Sequence, residues 1–426
     1  MEKIMSKYKE ALNKILKQIK SVSTKLKVEP SELTKAQFLG NAEGVTEWEL
    51  RILGGFDSIK STYFESDKDL TAVTASKVIK KHKSALDNKY GTASLFKEDF
   101  LSALKEITKT NKVPVYKTTK PNKVKVKDRS LVIHVSDTHF GANIESSEMG
   151  GANKFTWEVA SRRMALLALQ AVTYKPQYRD NTEAVICING DIIAGMIHNQ
   201  EWFADLLANQ FAGALSILTQ FVSYIAVHFP KTRVICTSGN HGRAMHKKDA
   251  GRAATHKWDS YETMIYMALK EALNANKTVS VEIPVTPYAI IDIQGHLAFQ
   301  THGDTVINVG NPGKSLNVGS ISNQINKLNA SELGGTAQFA LVLAGHVHTP
   351  VAHLMDNGCM LLINGTLSGG DPFAQSIGFF SSNPTQTIFE VTKQYAVGDI
   401  RFIRLKDADS NKDLDKIIVP YKKPLT

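Results

Sequence analysis

The chain has 426 residues, 42% hydrophobic and 22% charged, with a formal net charge of +10 at pH 7. That length exceeds one ordinary core and implies two or three domains, and the composition describes a soluble globular protein. No uninterrupted apolar stretch approaches the ~20 residues of a membrane span, and no apolar core follows the first lysines, so neither a membrane protein nor an exported one is expected.

The excess charge is unevenly spread. Residues 1–130 hold 27 Lys+Arg against 16 Asp+Glu, whereas the other 296 hold 24 against 25. A polyanion-binding module joined to a near-neutral domain has this distribution; so do lysine-rich helices that are merely solvated. The three cysteines, Cys187, Cys236 and Cys359, cannot all pair. They read as small buried hydrophobes in a reducing, cytoplasmic compartment.

Tyr8, Leu12, Ile15, Ile19, Val22 and Leu26 form a heptad seam on a basic helix over residues 4–26. The seam predicts either packing against the next segment or a homodimer. Pro30-Ser31-Glu32-Leu33 predicts a helix start, Gln37-Phe38-Leu39 a short helix, and Gly44 to Leu50 a turn, a Thr46 N-cap and a second helix. Thr46 to Phe64, centred on Arg51-Ile52-Leu53-Gly54-Gly55-Phe56, resembles the small helix-turn-helix repeats found beside homing-type and phage nucleases. The resemblance extends to residues 28–64 and implies Trp48, Arg51 and Lys60 as DNA contacts; a generic three-helix docking module is the alternative. Further helix is expected over 67–108, closing a basic helical region 1–108. Lys112, Lys117, Lys120, Lys123, Lys125 and Lys127, interleaved with Pro114 and Pro121, then predict an extended basic linker over 109–130.

From Leu131 onward strands alternate with helices expected around Trp157–Tyr174, Glu201–His228 and Trp258–Asn274. After Lys277 the chain is strand-rich: Val279–Ile283, Tyr288–Ile293, His296–Gln300, Ala340–Leu343, Val351–Leu354 and Met360–Ile363. This fits a layered α/β sandwich with mixed sheets over residues 131–426. Thr305 to Thr336, rich in Gly, Asn and Ser, predicts an insertion loop over the site. Gly313-Lys314-Ser315 imitates the end of a phosphate-binding loop but lacks its first glycine and its strand–loop–helix context. His134, Trp157, Trp202 and Trp258 read as core residues.

Five short motifs follow apolar runs: Asp137-Thr138-His139, Gly190-Asp191, Gly239-Asn240-His241, Thr301-His302-Gly303 and Gly345-His346-Val347-His348. Buried strands that end in ligand-bearing loops gather distant residues at one sheet edge. Two divalent metals ~3.5–4 Å apart need a bridging carboxylate, neutral imidazoles and an acidified water. Asp191 suits the bridge, Asp137 and His139 can face one metal, and His346 and His348 can reach different ones. Asn240 offers a carbonyl oxygen, and His241 is left to act on the substrate. Mixed oxygen and nitrogen ligation favours manganese, iron or zinc over calcium.

Together these motifs resemble the calcineurin-like metallophosphoesterase superfamily over residues ~131–366. The resemblance implies a four-layer α/β/β/α sandwich holding two divalent ions, with manganese expected first and iron, zinc or nickel as alternatives. It implies one metal held by Asp137, His139, Asp191 and His348, and the other by Asp191, Asn240, His302 and His346. His241 would orient the scissile phosphate and protonate the leaving oxygen while a bridging hydroxide attacks in line. Asn364-Gly365-Thr366 resembles the loop that often closes such sites. Gly242 after His241, with no arginine soon after Asp191, departs from the protein phosphatases. Ala194 departs from the double-strand-break repair nucleases, which carry histidine three residues past the bridging aspartate.

Arg243, Lys247, Lys248 and Arg252, with neighbouring basic residues, follow the His241 motif and are candidates for holding flanking phosphates; a solvated loop is the alternative. The expected activity is manganese-dependent hydrolysis of nucleic-acid phosphodiesters, DNA foremost. The alternatives are a small-molecule (cyclic) nucleotide phosphodiesterase or phosphatase with an N-terminal assembly domain, and a metal-stabilised binding protein.

Overall fold

The computed structural model describes residues 2–46, 50, 53, 55–64, 128–174, 182–196, 204–243, 256–331, 333, 338–376 and 383–423. The chain divides into two compact units, Met1–Asp99 and Phe100–Thr426. The helices expected after residue 67, and the linker up to residue 127, lie outside the described residues. No helix among the described residues is long and apolar enough to cross a membrane.

The first unit contains helices α1 (Glu2–Leu26), α2 (Lys35–Asn41) and α3 (Phe56–Phe64). Leu12, Ile15, Leu16, Ile19 and Val22 of α1 bury against Leu33, Phe38, Leu50, Leu53, Phe56 and Ile59. Phe38 and Phe56 stack with ring centroids 4.9 Å apart. The middle of the heptad seam is therefore spent on packing within the unit, each buried side chain contributing about 1.5–3 kcal/mol. Helix α2 starts at Thr34 rather than at Pro30: the Thr34 hydroxyl accepts from the Gln37 amide while the Gln37 side chain accepts from the Thr34 amide. This reciprocal cap satisfies two otherwise orphaned donors, which Pro30-Ser31 does not.

In the second unit β1 (Arg129–Val135), β2 (Glu183–Asn189), β3 (Lys231–Thr237) and β4 (Val279–Glu282) run parallel. The connections carry α4 (Trp157–Thr173), α5 (Leu207–Ala226) and α6 (Tyr261–Leu273). A second sheet has the order β5-β6-β7-β9-β8, from β5 (Tyr288–Ile293), β6 (His296–Thr301), β7 (Leu341–Ala344), β8 (Val351–Leu354) and β9 (Met360–Ile363). The chain then returns to the first sheet, where β10 (Thr385–Thr392) pairs antiparallel with β1 and β11 (Ile400–Arg404) with β10. This is a mixed α/β fold with two mixed sheets.

Val132, Val185 and Ile235 of the first sheet share a core with Ala289, Ile291, Leu343 and Leu362 of the second. Strands covered on both faces need continuous apolar runs, and β1 and β2 have them. The Thr305–Thr336 stretch is not simply a loop. It contains helix α7 (Val318–Asn329), capped by Asn317, with Ile321, Ile325 and Leu328 buried beside Phe299, Phe339 and Val342. The 3-4-3 spacing of Val318, Ile321, Ile325 and Leu328 carried that signal beneath a loop-like composition. Strand β1 also begins earlier than Leu131, because Arg129 and Ser130 already lie in register with Thr392 and Val391 of β10.

Candidate metal centre

Four of the five motifs sit immediately beyond β1, β2, β3 and β7, and the fifth straddles the end of β6. The turns are sharp. Asp137, His139, Asp191, His346 and His348 all have positive φ, between 45° and 72°. For non-glycine residues this conformation costs about 1–3 kcal/mol each and persists only where surrounding bonds enforce it. The loops supply those bonds to one another. Asp137 N donates to Gly190 O and His139 N to Asp191 O, at 3.0 and 3.1 Å. Leu367 N and the Thr366 hydroxyl both donate to Asp137 O, so the Asn364-Gly365-Thr366 segment braces this turn. Gly345 N donates to His302 O at 2.8 Å. Gly239 passes so close to Asp191 that a Cβ there would collide with the carboxylate.

Two Asp/His groups result, Asp137–His139–His348 and Asp191–His302–His346, the potential ligand atoms of each lying within 4.8 Å of one another. In the first, His139 Nε2 and His348 Nε2 face each other at 3.1 Å, and His348 Nε2 lies 3.5 Å from Asp137 Oδ1. Ser136 Oγ and His346 N donate to the Asp137 carboxylate. In the second, Asp191 Oδ1 accepts from Asn240 N and His241 N at 2.7 and 2.8 Å, and Oδ2 lies 2.9 Å from His302 Nε2. His302 Nδ1–H donates to Asn189 O, which turns Nε2 toward the carboxylate.

His241 stands between the groups. Its ring centroid is 4.6 Å from that of His139, and its Nε2 is 3.9 Å from Asp191 Oδ2. Its Nδ1–H donates to Ala194 O at 2.7 Å. The backbone carbonyl of Ala194 thus orients His241.

The electrostatics follow the packing. Burial raises the Asp191 carboxyl, but His302 and His241 outweigh it and hold it well below the usual range. Burial lowers His302, yet Asp191 lifts it to about 9. His139 is pushed well below its ordinary value by burial and then by His241 and His348. Burial, followed by His302, lowers His346 to about 4. His134 is a core residue, as expected: Asn189 Nδ2 lies 3.2 Å from its Nε2, and burial lowers it to about 3.

The donor set fits divalent cations. Asn240 Oδ1 is buried without a hydrogen-bond partner, and a buried carbonyl oxygen without a donor is costly unless a cation takes it. Paired imidazole nitrogens and carboxylates within reach complete the mixed oxygen/nitrogen set.

Arg243 Nη2 donates to Asp304 Oδ2 at 3.0 Å, and Lys257, almost fully buried, pairs with the other oxygen of the same carboxylate. The Arg243 guanidinium is thus already engaged by a carboxylate, which limits what it can offer a phosphate. Lys247, Lys248 and Arg252 lie outside the described residues, as do Trp48, Arg51 and Trp202. Lys60 Nζ donates to Leu33 O within its own unit. Trp157 packs against Phe140 and Tyr421, and its Nε1–H donates to Asp205. Sequence reasoning missed Asp304 and the buried Glu262, whose carboxylate accepts from Ile192 N and Gly239 N; the acid in the first turn of a helix was the only trace of Glu262.

No family model matches the chain, and no curated protein matches it. Among solved structures it is similar to a predicted phosphoesterase from Streptococcus pneumoniae, at 12% identity over 65% of this chain and 97% of that one, TM-score 0.26. It is similar to the phosphopantetheinyl hydrolase of Mycobacterium tuberculosis at 13% identity over 59% and 93%, TM-score 0.24. A 5'-nucleotidase of Candida albicans matches at 10% identity over 70% and 56%, TM-score 0.30. Likenesses this slight leave the chemistry to be read from the site's own residues.

Proposed function

We propose that this protein is a dinuclear-metal phosphodiesterase acting on nucleic acid, DNA foremost, built on a four-layer sandwich. The observation that carries the reading is the meeting of two Asp/His groups around Asp191 with His241 held between them. In this reading Asp137, His139 and His348 hold one cation, Asn240, His302 and His346 the other, and Asp191 serves both. Manganese suits the mixed ligands best, with iron, zinc or nickel as alternatives. Two such cations, when bound, supply Lewis acidity and a water acidified for attack on phosphorus.

The chain's own residues do the rest. His241, fixed by Ala194 O, presents Nε2 toward the junction of the groups, where a protonated imidazole would meet the leaving oxygen. Asp191, tied by two backbone amides and His302, keeps its orientation when substrate arrives. Nucleic acid as substrate is supported by the excess of lysine in residues 1–130. Three buried, free thiols suit a reducing cytoplasm. The engagement of Arg243 by Asp304 favours a second reading, a small-nucleotide phosphodiesterase whose N-terminal unit serves assembly, including self-association.

Hydrolysis of linear duplex DNA, single-stranded DNA and bis-p-nitrophenyl phosphate with Mn²⁺, using Asp191→Ala as the blank, separates the readings. DNA and diester cleavage, both lost in the variant, supports the nuclease. Diester cleavage with DNA untouched moves the substrate to a small nucleotide, and no Mn²⁺-dependent cleavage of any of them overturns the reading.

A further inference from the structure

Glu262 is buried and sits in the first turn of α6, behind the site. Its two carboxylate oxygens are divided between two loops. Oε1 accepts from Ile192 N and Oε2 from Gly239 N, each at 2.6 Å. Ile192 follows Asp191, and Gly239 precedes Asn240. One side chain therefore grips the backbone of the loop that carries the shared carboxylate and of the loop that carries Asn240 and His241.

The surroundings are shaped for that grip. A Cβ on Gly242 would press into Glu262 Cγ at 2.5 Å, so the absence of a side chain after His241 leaves the space Glu262 occupies. Helix α6 is stitched to the same loop through Tyr261 N, which donates to Gly242 O. Ser260 caps the helix, accepting from Thr263 N. Neither oxygen of Glu262 meets a basic side chain among its hydrogen bonds. A buried carboxylate satisfied by two backbone amides is kept for what it holds in place.

We propose that Glu262 is a positioning residue that locks the Asp191 loop and the Asn240–His241 loop into one body and so sets the geometry of the Asp191–His302–His346 group. The part concerning cations rests on the phosphodiesterase reading above; the locking of the loops does not. The other group is held by Asp137, His139 and His348, whose loops give Glu262 none of its hydrogen bonds and reach it only through the Asp191 loop. The two groups should respond differently to its loss.

The test compares the full-length parent chain, Glu262→Gln and Leu269→Ala. The glutamine keeps the shape but turns one acceptor into a donor that faces an amide. Leu269 is a buried residue of the same helix and controls for general destabilisation. Calorimetric titration with Mn²⁺ should show two binding events in the parent. In Glu262→Gln one of the two events should lose about 10–100-fold in affinity, the usual effect of removing an outer support, and the other distinctly less. Leu269→Ala should lower the melting temperature and leave both events as they were. Retention of both affinities in Glu262→Gln, or an equal loss of both, overturns the proposal.

Amide hydrogen exchange in the metal-free proteins is read alongside. The Ile192 or Gly239 amide should exchange faster in Glu262→Gln and in neither case faster in Leu269→Ala. Unchanged protection of both amides in Glu262→Gln overturns the locking role. A parent that binds no Mn²⁺ sinks the phosphodiesterase reading instead, and exchange alone then decides on Glu262.

Discussion

The two Asp/His groups are built from the same residue types yet prepared differently. In the Asp191 group the carboxylate already has three polar neighbours within 2.9 Å, two backbone amides and His302 Nε2, and its field lifts His302 to about 9. The group holds its own internal ion pair. In the Asp137 group two imidazole nitrogens face each other at 3.1 Å, and His139 is held well below its ordinary value by burial and by its histidine neighbours. A cation entering the first must displace a proton from His302; a cation entering the second meets a neutral His139 imidazole. Preorganisation and proton occupancy are thus separable properties of neighbouring sites.

The largest effect that would break this comparison is expected at Asp191. Asp191→Ala removes the residue that the proposed reading assigns to both cations and should abolish Mn²⁺-dependent turnover and weaken both binding events, whereas His139→Ala should weaken mainly one. Titration of the two variants checks this, and equal losses would erase the distinction. Next, His241→Ala should lower kcat by about 10²–10⁴-fold with both cations retained. Metal content measured beside the kinetics decides it, and full activity would remove His241 from the chemistry.

The N-terminal unit sharpens the substrate half of the reading. Removing residues 1–127 should weaken DNA affinity and flatten its salt dependence while sparing the chromogenic diester. The cut belongs there rather than after Ser130, because Arg129 and Ser130 bond to Glu390 and Glu183 within the second unit. Unchanged affinity in a salt titration would assign the unit to assembly.

Two pH effects are smaller. His302 is raised in the folded metal-free protein, so the stability it contributes is fully present below about 6.5 and lost as pH rises toward about 9. The slope is at most about 1.4 kcal/mol per pH unit. Melting of the metal-free protein across that range should show it, and His302→Gln should not. His134 has the opposite sign, because burial lowers it to about 3. Its contribution holds above about 6.5 and declines as pH falls, when the unfolded chain takes up a proton that the folded one refuses. His134→Gln should flatten the acid limb of the melting curve.

The strands and most ligand-bearing loops were legible because parallel strands buried on both faces leave continuous apolar runs, and turns that bear ligands follow at their ends. Helix α7 was hidden by its Gly, Asn and Ser content, and the start of α2 by a proline that imitates a helix entry. Strand β10 escaped because its pairing with β1 joins residues some 250 positions apart, as His134 opposite Thr387 shows, and β11 only pairs with β10.

By itself the amino-acid sequence determined which side chains stand at strand ends, since a period of apolar residues and the residue that follows are local properties. Only the tertiary structure decided how those side chains are held. Five residues at positive φ are sustained by bonds between loops, Ala194 acts through its carbonyl, Asp304 engages Arg243, and Glu262 ties two loops from a helix of its own. Backbone amides and carbonyls carry these roles, and every residue has them, so no residue type announces them in advance.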